Sequence, residues 1–389
     1  MTAQAQFAAA MARLGPFGTA PVLAVAVSGG PHSLALALLA RHWVGAHGGR
    51  LVGLVADHGL RAESAAEANG VAALLAGLGI PVRLLPLGLA PGPALHDRAR
   101  AARLAALLAA AEAEGAPWLL LGHHRGDQAE TLAFRALRGS GPDGLAGMAP
   151  ARVGPGALVL RPLLGMAPAM LEAVCAEAGL PPVRDASNAD PRFLRARLRA
   201  VMDPDGPGAA ALAEAAAAWA MRRDRARPQI AARLAEAASF RPEGWVQLDR
   251  AALGRDRIAV AALAAALRVV SGAVHPAPAA GVAALLGRGH GSLGGAILTA
   301  SGVLAREPAA LAPPAPARMA TLWDGRWRVT SPLPEGTTIG PAGENWAAAG
   351  WPAGLPALVR AGLPALLCRG ALCSTAAHTM FQPGSGAAV

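Results

Sequence analysis

Residues 21–33, PVLAVAVSGGPHS, constrain this chain more than any other stretch. The run Val22–Val27 is apolar, rich in β-branched residues and without alternation, which is the pattern of a strand covered on both faces. Ser28, Gly29 and Gly30 then break it with residues that tolerate unusual backbone angles and place no bulk between the main chain and a ligand. From Ser33 onward, LALALLARHW favours a helix, so the glycine bend ends at a helix N-terminus whose N–H groups and dipole attract anions. A strand, a glycine turn and a helix start in this order imply a nucleotide-phosphate site.

The kind of site narrows by what is missing. A lysine P-loop needs G-x-x-x-x-G-K-[ST], and the sequence holds no lysine; the dinucleotide fingerprint G-x-G-x-x-G does not follow the strand either. What remains is S-G-G-x-x-S. It resembles the SGGxDS signature of the PP-loop pyrophosphatase superfamily, whose members split ATP between the α and β phosphates.

Further along, Leu51–Asp57, Ile80–Leu87 and Pro117–Gly122 read as buried strands, alternating with helices over Glu63–Leu78, Leu95–Glu114 and Gln128–Leu137. Such alternation predicts an α/β fold with a parallel sheet and helices on both faces, and ligands at the carboxyl ends of the strands. Three polar clusters fall there: Ser28–Ser33, Asp57–Arg61 and His123–Glu130. Gly139–Met148 is expected to be a glycine-rich loop, and Pro181–Pro191 a polar loop leading into Arg192, Arg195, Arg197 and Arg199.

The first domain is therefore expected over residues 1–202. A helical linker over 203–239 carries a second basic run, Arg222, Arg223, Arg225 and Arg227; a smaller α+β domain over 240–310 and a Pro- and Gly-rich region of unread fold over 311–389 follow. At 389 residues the chain is long enough for several cores. Its 35 arginines against 25 acidic residues give a net charge of +10, which points to a polyanionic partner. Cys175, Cys368 and Cys373 are too few for a disulfide framework and are expected to be core thiols in a reducing compartment. No apolar run reaches membrane-span length and no signal pattern opens the chain, so a cytosolic protein with no membrane partner is expected.

Four stretches together look like tRNA(Ile)-lysidine synthetase: AVSGGPHS (26–33), DHGLRAESAAEA (57–68), GHHRGDQAETLAFRALRGSGPDGLAGM (122–148) and RPLLGM with DASNADPRFLRARLR (161–199). The later WVQLDRAAL and GSLGGAILTASGVLAREP (245–253 and 291–308) resemble that family's smaller tRNA-contacting domain. The resemblance implies adenylation of the wobble cytidine of an isoleucine tRNA bearing a CAU anticodon. Displacement of AMP by the amine of L-lysine would follow, with ATP and magnesium as cofactors.

By the same resemblance, Ser28, Gly29, Gly30, Pro31, His32, Ser33 and Asp57 would bind ATP. His58, His123, Asp127 and Arg195 would carry the reaction, and Asp127 would hold the metal. As the residue that takes a proton from lysine, Asp127, Glu130 and Asp185 stand unranked; a surface histidine pair and a helix-capping aspartate are the plainer readings of His123 and Asp127. The chain departs from the family pattern at His32 and Gly126, both acidic in the family, and at Ala196 after Arg195. A protonated His32 is expected to bond phosphate, and water to fill the space at Gly126. The competing readings are another PP-loop tRNA enzyme, such as a thiolase, and a non-catalytic ATP- or tRNA-binding homologue. No cysteine precedes Cys175, which disfavours the thiolase.

Overall fold

The computed structural model describes all residues except 58, 60–63, 89–91, 93, 94, 181–193, 374 and 383–389, and excludes the side chains of 96, 97, 195 and 196. The chain divides into two units, Met1–Arg223 and Asp224–Val389.

Unit 1 begins with a helix, α1 (Ala3–Leu14), which the sequence reading leaves out. Strand β1 (Val22–Ala26) follows and leads through the glycine turn into α2 (Pro31–Ala46). Next come β2 (Arg50–Asp57), α3 (Ser64–Gly77), β3 (Val82–Pro86), α4 (Leu95–Ala113), β4 (Trp118–Leu120) and α5 (Arg125–Leu137). A short helix, α6 (Pro142–Leu145), lies inside the expected glycine-rich loop. Strands β5 (Ala151–Val153) and β6 (Leu158–Leu160), both unread from sequence, precede α7 (Pro168–Glu177) and α8 (Leu194–Val201), and α9 (Pro207–Ala237) starts in unit 1 and ends in unit 2.

The sheet order is β3-β2-β1-β4-β6-β5. It is parallel except for β5, which pairs antiparallel with β6 through Arg152↔Val159, so the expected all-parallel sheet gains one reversed edge strand. β1 sits between β2 and β4, with Leu23 opposite Leu51 on one side and Trp118 on the other. Its middle residues Leu23, Ala24 and Val25 are fully buried, which explains the unbroken apolar run. Two apolar layers cover the sheet. One contains Leu34, Leu36, Leu39, Leu75 and Leu171, the other Leu107, Leu108 and Ala111 of α4 against Leu119 and Val159.

Unit 2 holds a five-stranded antiparallel sheet in the order β7-β8-β11-β10-β9, in which β7 is Ala238–Arg241, β8 Trp245–Leu248, β9 Gly291–Leu293, β10 Ala296–Leu298 and β11 Val303–Arg306. Between β8 and β9 lie α10 (Arg250–Leu253), α11 (Arg257–Ser271) and α12 (Ala279–Arg288). Asp256 caps α11 by accepting the Ala259 N–H at 2.7 Å, and Gly272 ends it at φ +69°. Ile258, Ala259, Ala262, Leu263, Ala266, Leu267 and Val270 give α11 one buried face at helical spacing.

The unread tail is folded. It forms a four-stranded and a three-stranded sheet around Trp323, Trp327, Trp351, Ile339 and Leu366. Asp324 accepts bonds from Arg306 (2.7 and 3.0 Å) and Arg326 (2.9 Å), and all three side chains are buried or nearly so. Gly272 abuts residues 324–326 so closely that a Cβ there would strike the Asp324 carbonyl. Cys368 and Cys373 form a disulfide across a hairpin, with Cα atoms 6.3 Å apart; only Cys175 is the buried free thiol that all three were expected to be.

Candidate functional site

The sequence runs outward from β1 on both sides of the sheet: β2 and β3 on one flank, β4 and β6 on the other. The crevice where such an order reverses is the general ligand site of open α/β sheets. Ser28 follows β1 there, and His123 follows β4.

The glycine bend is closed on itself. Ser33 Oγ donates to the Gly30 carbonyl (2.9 Å) and accepts the Ser28 N–H (3.1 Å), while the two serine hydroxyls lie 3.3 Å apart. Gly29 adopts φ +83°, a left-handed angle that a side chain would strain, and Pro31 opens α2 with its φ already helical. Gly122 presses against this turn: a Cβ there would come within 3.2 Å of Ser33 Cα and 3.3 Å of the His32 carbonyl oxygen. From beneath, the Cys175 thiol of α7 donates to the Pro31 carbonyl at 3.1 Å. The result is a rigid bed of backbone at a helix start, suited to a phosphate group.

His32 points back toward α5. Its ring meets that of His124 edge to face at 4.0 Å, and its Nε2, buried without a hydrogen-bond partner, stands 3.9 Å from a Glu172 carboxylate oxygen. Burial, with His124 as the next cause, lowers His32 to about 4. The expected cationic His32 is thus corrected to a neutral ring at pH 7. The expected water at Gly126 is also corrected, because that space is filled: a Cβ at this position would meet Pro204 Cβ at 2.9 Å and His124 Cε1 at 3.1 Å.

Asp127 takes part in a capping box at the start of α5. Its Oδ2 accepts the His124 N–H at 3.0 Å, while His124 Nδ1 accepts the Gly126 N–H at 3.1 Å. His124 Nε2 then faces Asp127 Oδ2 at 3.4 Å, which fits the Nε2–H tautomer. The plainer reading of Asp127 as a cap is therefore real, and its side chain remains about a quarter exposed. His123 is not a surface residue: its Nδ1 is buried without a partner, and burial lowers the ring to about 4 against the opposing pull of Asp127. Glu130 is buried and accepts from Arg199 Nη2 at 2.7 Å. Asp57 accepts from the Gly59 N–H and the Ser64 hydroxyl at the end of β2.

His58, Asp185 and Arg192 lie outside the described residues, as does the side chain of Arg195, whose backbone belongs to α8. Three residues were given no role from the sequence. Gln128 holds Met148 by both its backbone groups (2.7 and 3.1 Å), and Arg135 donates to the carbonyls of Gly144 and Gly147, both at 2.8 Å, so the glycine-rich loop is latched to α5. Asp205 accepts the Ala169 N–H at 3.0 Å through its side chain and the Arg125 guanidinium at 3.0 Å through its carbonyl. Gln128 and Arg135 lie within the 122–148 motif, which could have flagged them, whereas Asp205 lies outside every quoted motif. A cleft of about 530 Å³ lined by Phe7, Leu39, Trp43 and His47 lies at the other end of α2, roughly 20 Å of helix from the glycine bend.

Residues 2–205 match the family model described as the PP-loop domain. The chain is 43% identical to the tRNA(Ile)-lysidine synthase of Methylobacterium sp. (strain 4-46) over 331 residues, covering 76% of this chain and 93% of that protein. It is 48% identical to the enzyme of the same name from Novosphingobium aromaticivorans over 234 residues, covering 57% and 70%. To that of Methylobacterium nodulans it is 41% identical over 323 residues, covering 74% and 90%. Among solved structures, the U34-tRNA thiolase NcsA from Methanococcus maripaludis aligns with a TM-score of 0.46 at 15% identity, over 57% of this chain and 78% of that one. With a PP-loop model spanning more than half the sequence and a relative matched over nearly its whole length, the chain belongs to the tRNA(Ile)-lysidine synthase family of PP-loop proteins.

Proposed function

We propose that this protein uses ATP to join L-lysine to C2 of the wobble cytidine, position 34, of the isoleucine tRNA with a CAU anticodon. Adenylation of the cytidine releases pyrophosphate, and lysine then displaces AMP to leave lysidine. The observation that carries this reading is the 43% identity extending over 93% of a lysidine synthase, so that relative is matched well beyond its PP-loop domain.

The roles follow from the chemistry of the side chains. The Ser28–Ser33 turn and the start of α2 seat the departing phosphates through backbone donors, and Pro31, His32 and Asp57 border that seat. Asp127 would hold magnesium, as one ligand among phosphate oxygens. Among the described residues no three His, Cys, Asp or Glu side chains converge as a metal cage, which suits an ion carried mainly by the nucleotide. When bound, magnesium supplies charge neutralisation on the phosphates.

The lysine amine must shed a proton before it attacks. Glu130 is committed to Arg199, so His123, neutral with an unpartnered Nδ1, and Asp127 are the acceptors assigned to that step. Arg195 and His58 keep the roles of phosphate and substrate contacts that the resemblance implies. A cytoplasmic setting, where tRNA, ATP and lysine coexist, belongs to this reading; among the described residues no helix is long and apolar enough to cross a membrane.

The test is incubation with ATP, labelled lysine and an isoleucine tRNA transcript bearing CAU, with methionine tRNA as control. Lysine enters only the isoleucine tRNA, with AMP released. Absence of both label and AMP, with tRNA still bound, would instead identify a non-catalytic homologue, the rival reading that His32 and Gly126 motivate.

A further inference from the structure

Arg100, Arg103 and Arg161 gather beside His123, where Asp127 is the acid that opposes them. In a parallel α/β unit each helix returns antiparallel to its strands, so the first half of α4, with Arg100 and Arg103, lies at the carboxyl ends of β4 and β6. Leu107 and Leu108 of α4, packed on Leu119 and Val159, fix that placement. His123 follows β4 and Arg161 follows β6, while Arg152 projects from the edge strand β5 opposite Val159.

Arg161 is anchored by its Nη1, which donates to the Ala149 carbonyl at 2.8 Å, and its Nε is buried without a partner, like His123 Nδ1. The charges act on one another. After burial, Arg152 and Arg100 lower Arg161 to about 10, and Arg100 lowers Arg103. His123 is depressed first by burial and then by Arg161, Arg100 and Arg103, against the upward pull of Asp127. Among the described residues, none of these four arginines has an acidic partner within ion-pair distance.

Uncompensated like charges repel, and an anion relieves them. The phosphate bed of the glycine bend belongs to β1 and α2, so this is a separate anion subsite on the β4–β6–β5 flank. One carboxylate is matched by one forked guanidinium. Four guanidiniums, with Arg100 and Arg152 exposed and Arg103 and Arg161 half-buried, match a run of phosphates leading in from solvent. We propose that Arg100, Arg103, Arg152 and Arg161 grip the phosphodiesters of the RNA beside the nucleotide being modified. This rests on RNA being the substrate, as read above.

The experiment measures the Kd of the isoleucine tRNA as a function of salt, with KM for tRNA, ATP and lysine, for the wild type, Arg100→Gln, Arg152→Gln and the double variant. Each single change weakens tRNA binding roughly tenfold. The double change flattens the slope of log affinity against log salt by about 1.4, at ~0.7 per lost contact to a single strand. Thermal melting confirms folding, and Arg152→Glu, on an exposed edge strand, provides a further variant with a larger expected loss. An unchanged salt slope in the double variant, or a rise in KM for lysine in place of tRNA, overturns the proposal. If lysidine forms normally while the variants bind tRNA like the wild type, only this inference fails. If the variants lose tRNA affinity but the wild type forms no lysidine, only the catalytic reading fails.

Discussion

Pro204 occupies the space that a side chain at Gly126 would need: its Cβ is 2.9 Å from where the Cβ of residue 126 would stand. The backbone around Pro204 is pinned in turn, since Asp205 bonds both Ala169 and Arg125. The missing acid at 126 is therefore built into the packing. Gly126→Asp is expected to destabilise unit 1 by about 1–3 kcal/mol through overpacking and to lower AMP release. Adding Pro204→Ala should recover most of the stability, as read by denaturant unfolding of the single and double variants.

Asp127 serves two ends, and they separate by substitution. Asp127→Ala removes the carboxylate that accepts the His124 N–H and should cost about 1 kcal/mol of stability as well as activity. Asp127→Asn keeps an acceptor oxygen, so its melting temperature should stay near that of the wild type while ATP-dependent AMP release falls steeply. Equal loss of stability in both variants would contradict the capping role.

The neutral histidines make stability depend on pH. His32 and His123 are lowered to about 4, from 6.5, chiefly by burial, so between pH 4 and 6.5 the unfolded chain binds more protons than the folded one. Stability contributed by each ring is complete above pH 6.5 and is lost as pH falls toward 4, with a slope of up to about 1.4 kcal/mol per pH unit per ring. Unfolding titrations from pH 7.5 to 4.5 check this, and His32→Gln should flatten the slope.

Asp324 neutralises two guanidiniums at once in unit 2. Replacing it with Ala leaves Arg306 and Arg326 buried without it, and Arg326, already lowered to about 10 by burial, has no room to reach water. A loss of about 3–5 kcal/mol is expected, seen in the unfolding of unit 2. A double replacement of Asp324 and Arg326 by apolar residues should be milder than the single change.

Unit 1 was legible where one local rule dominated. The unbroken apolar run of β1, the glycine bend and the spacing of α4 and α5 predicted their elements within a few residues. β5 and β6 were missed because each is three residues long and, unlike the equally short β4 inside the apolar run WLLLG, β5 is an exposed edge strand and β6 follows a Gly-Pro-Gly turn. The contacts that define the site are long-range. Nothing local to Gly126 announces Pro204, nothing in Arg135 announces the carbonyls it holds, and the depressed histidines follow from burial that a sequence does not display. The tail was unreadable because its strands are only two to five residues long within a Pro- and Gly-rich sequence, and its order comes from long-range ring contacts such as Trp327 and Trp351 at 5.1 Å.

The burial of Asp324 against Arg306 also bears on how much of this chain can be trimmed. A version cut after Ala310 would keep Arg306 on β11 but discard the carboxylate that answers it, together with the residues that seat against Gly272. Such a fragment would expose an orphan cation and the apolar edge left by Ala305, and should precipitate or be degraded. The last eighty residues thus behave as the lid of the preceding fold, and shortened variants of unit 2 need to retain them.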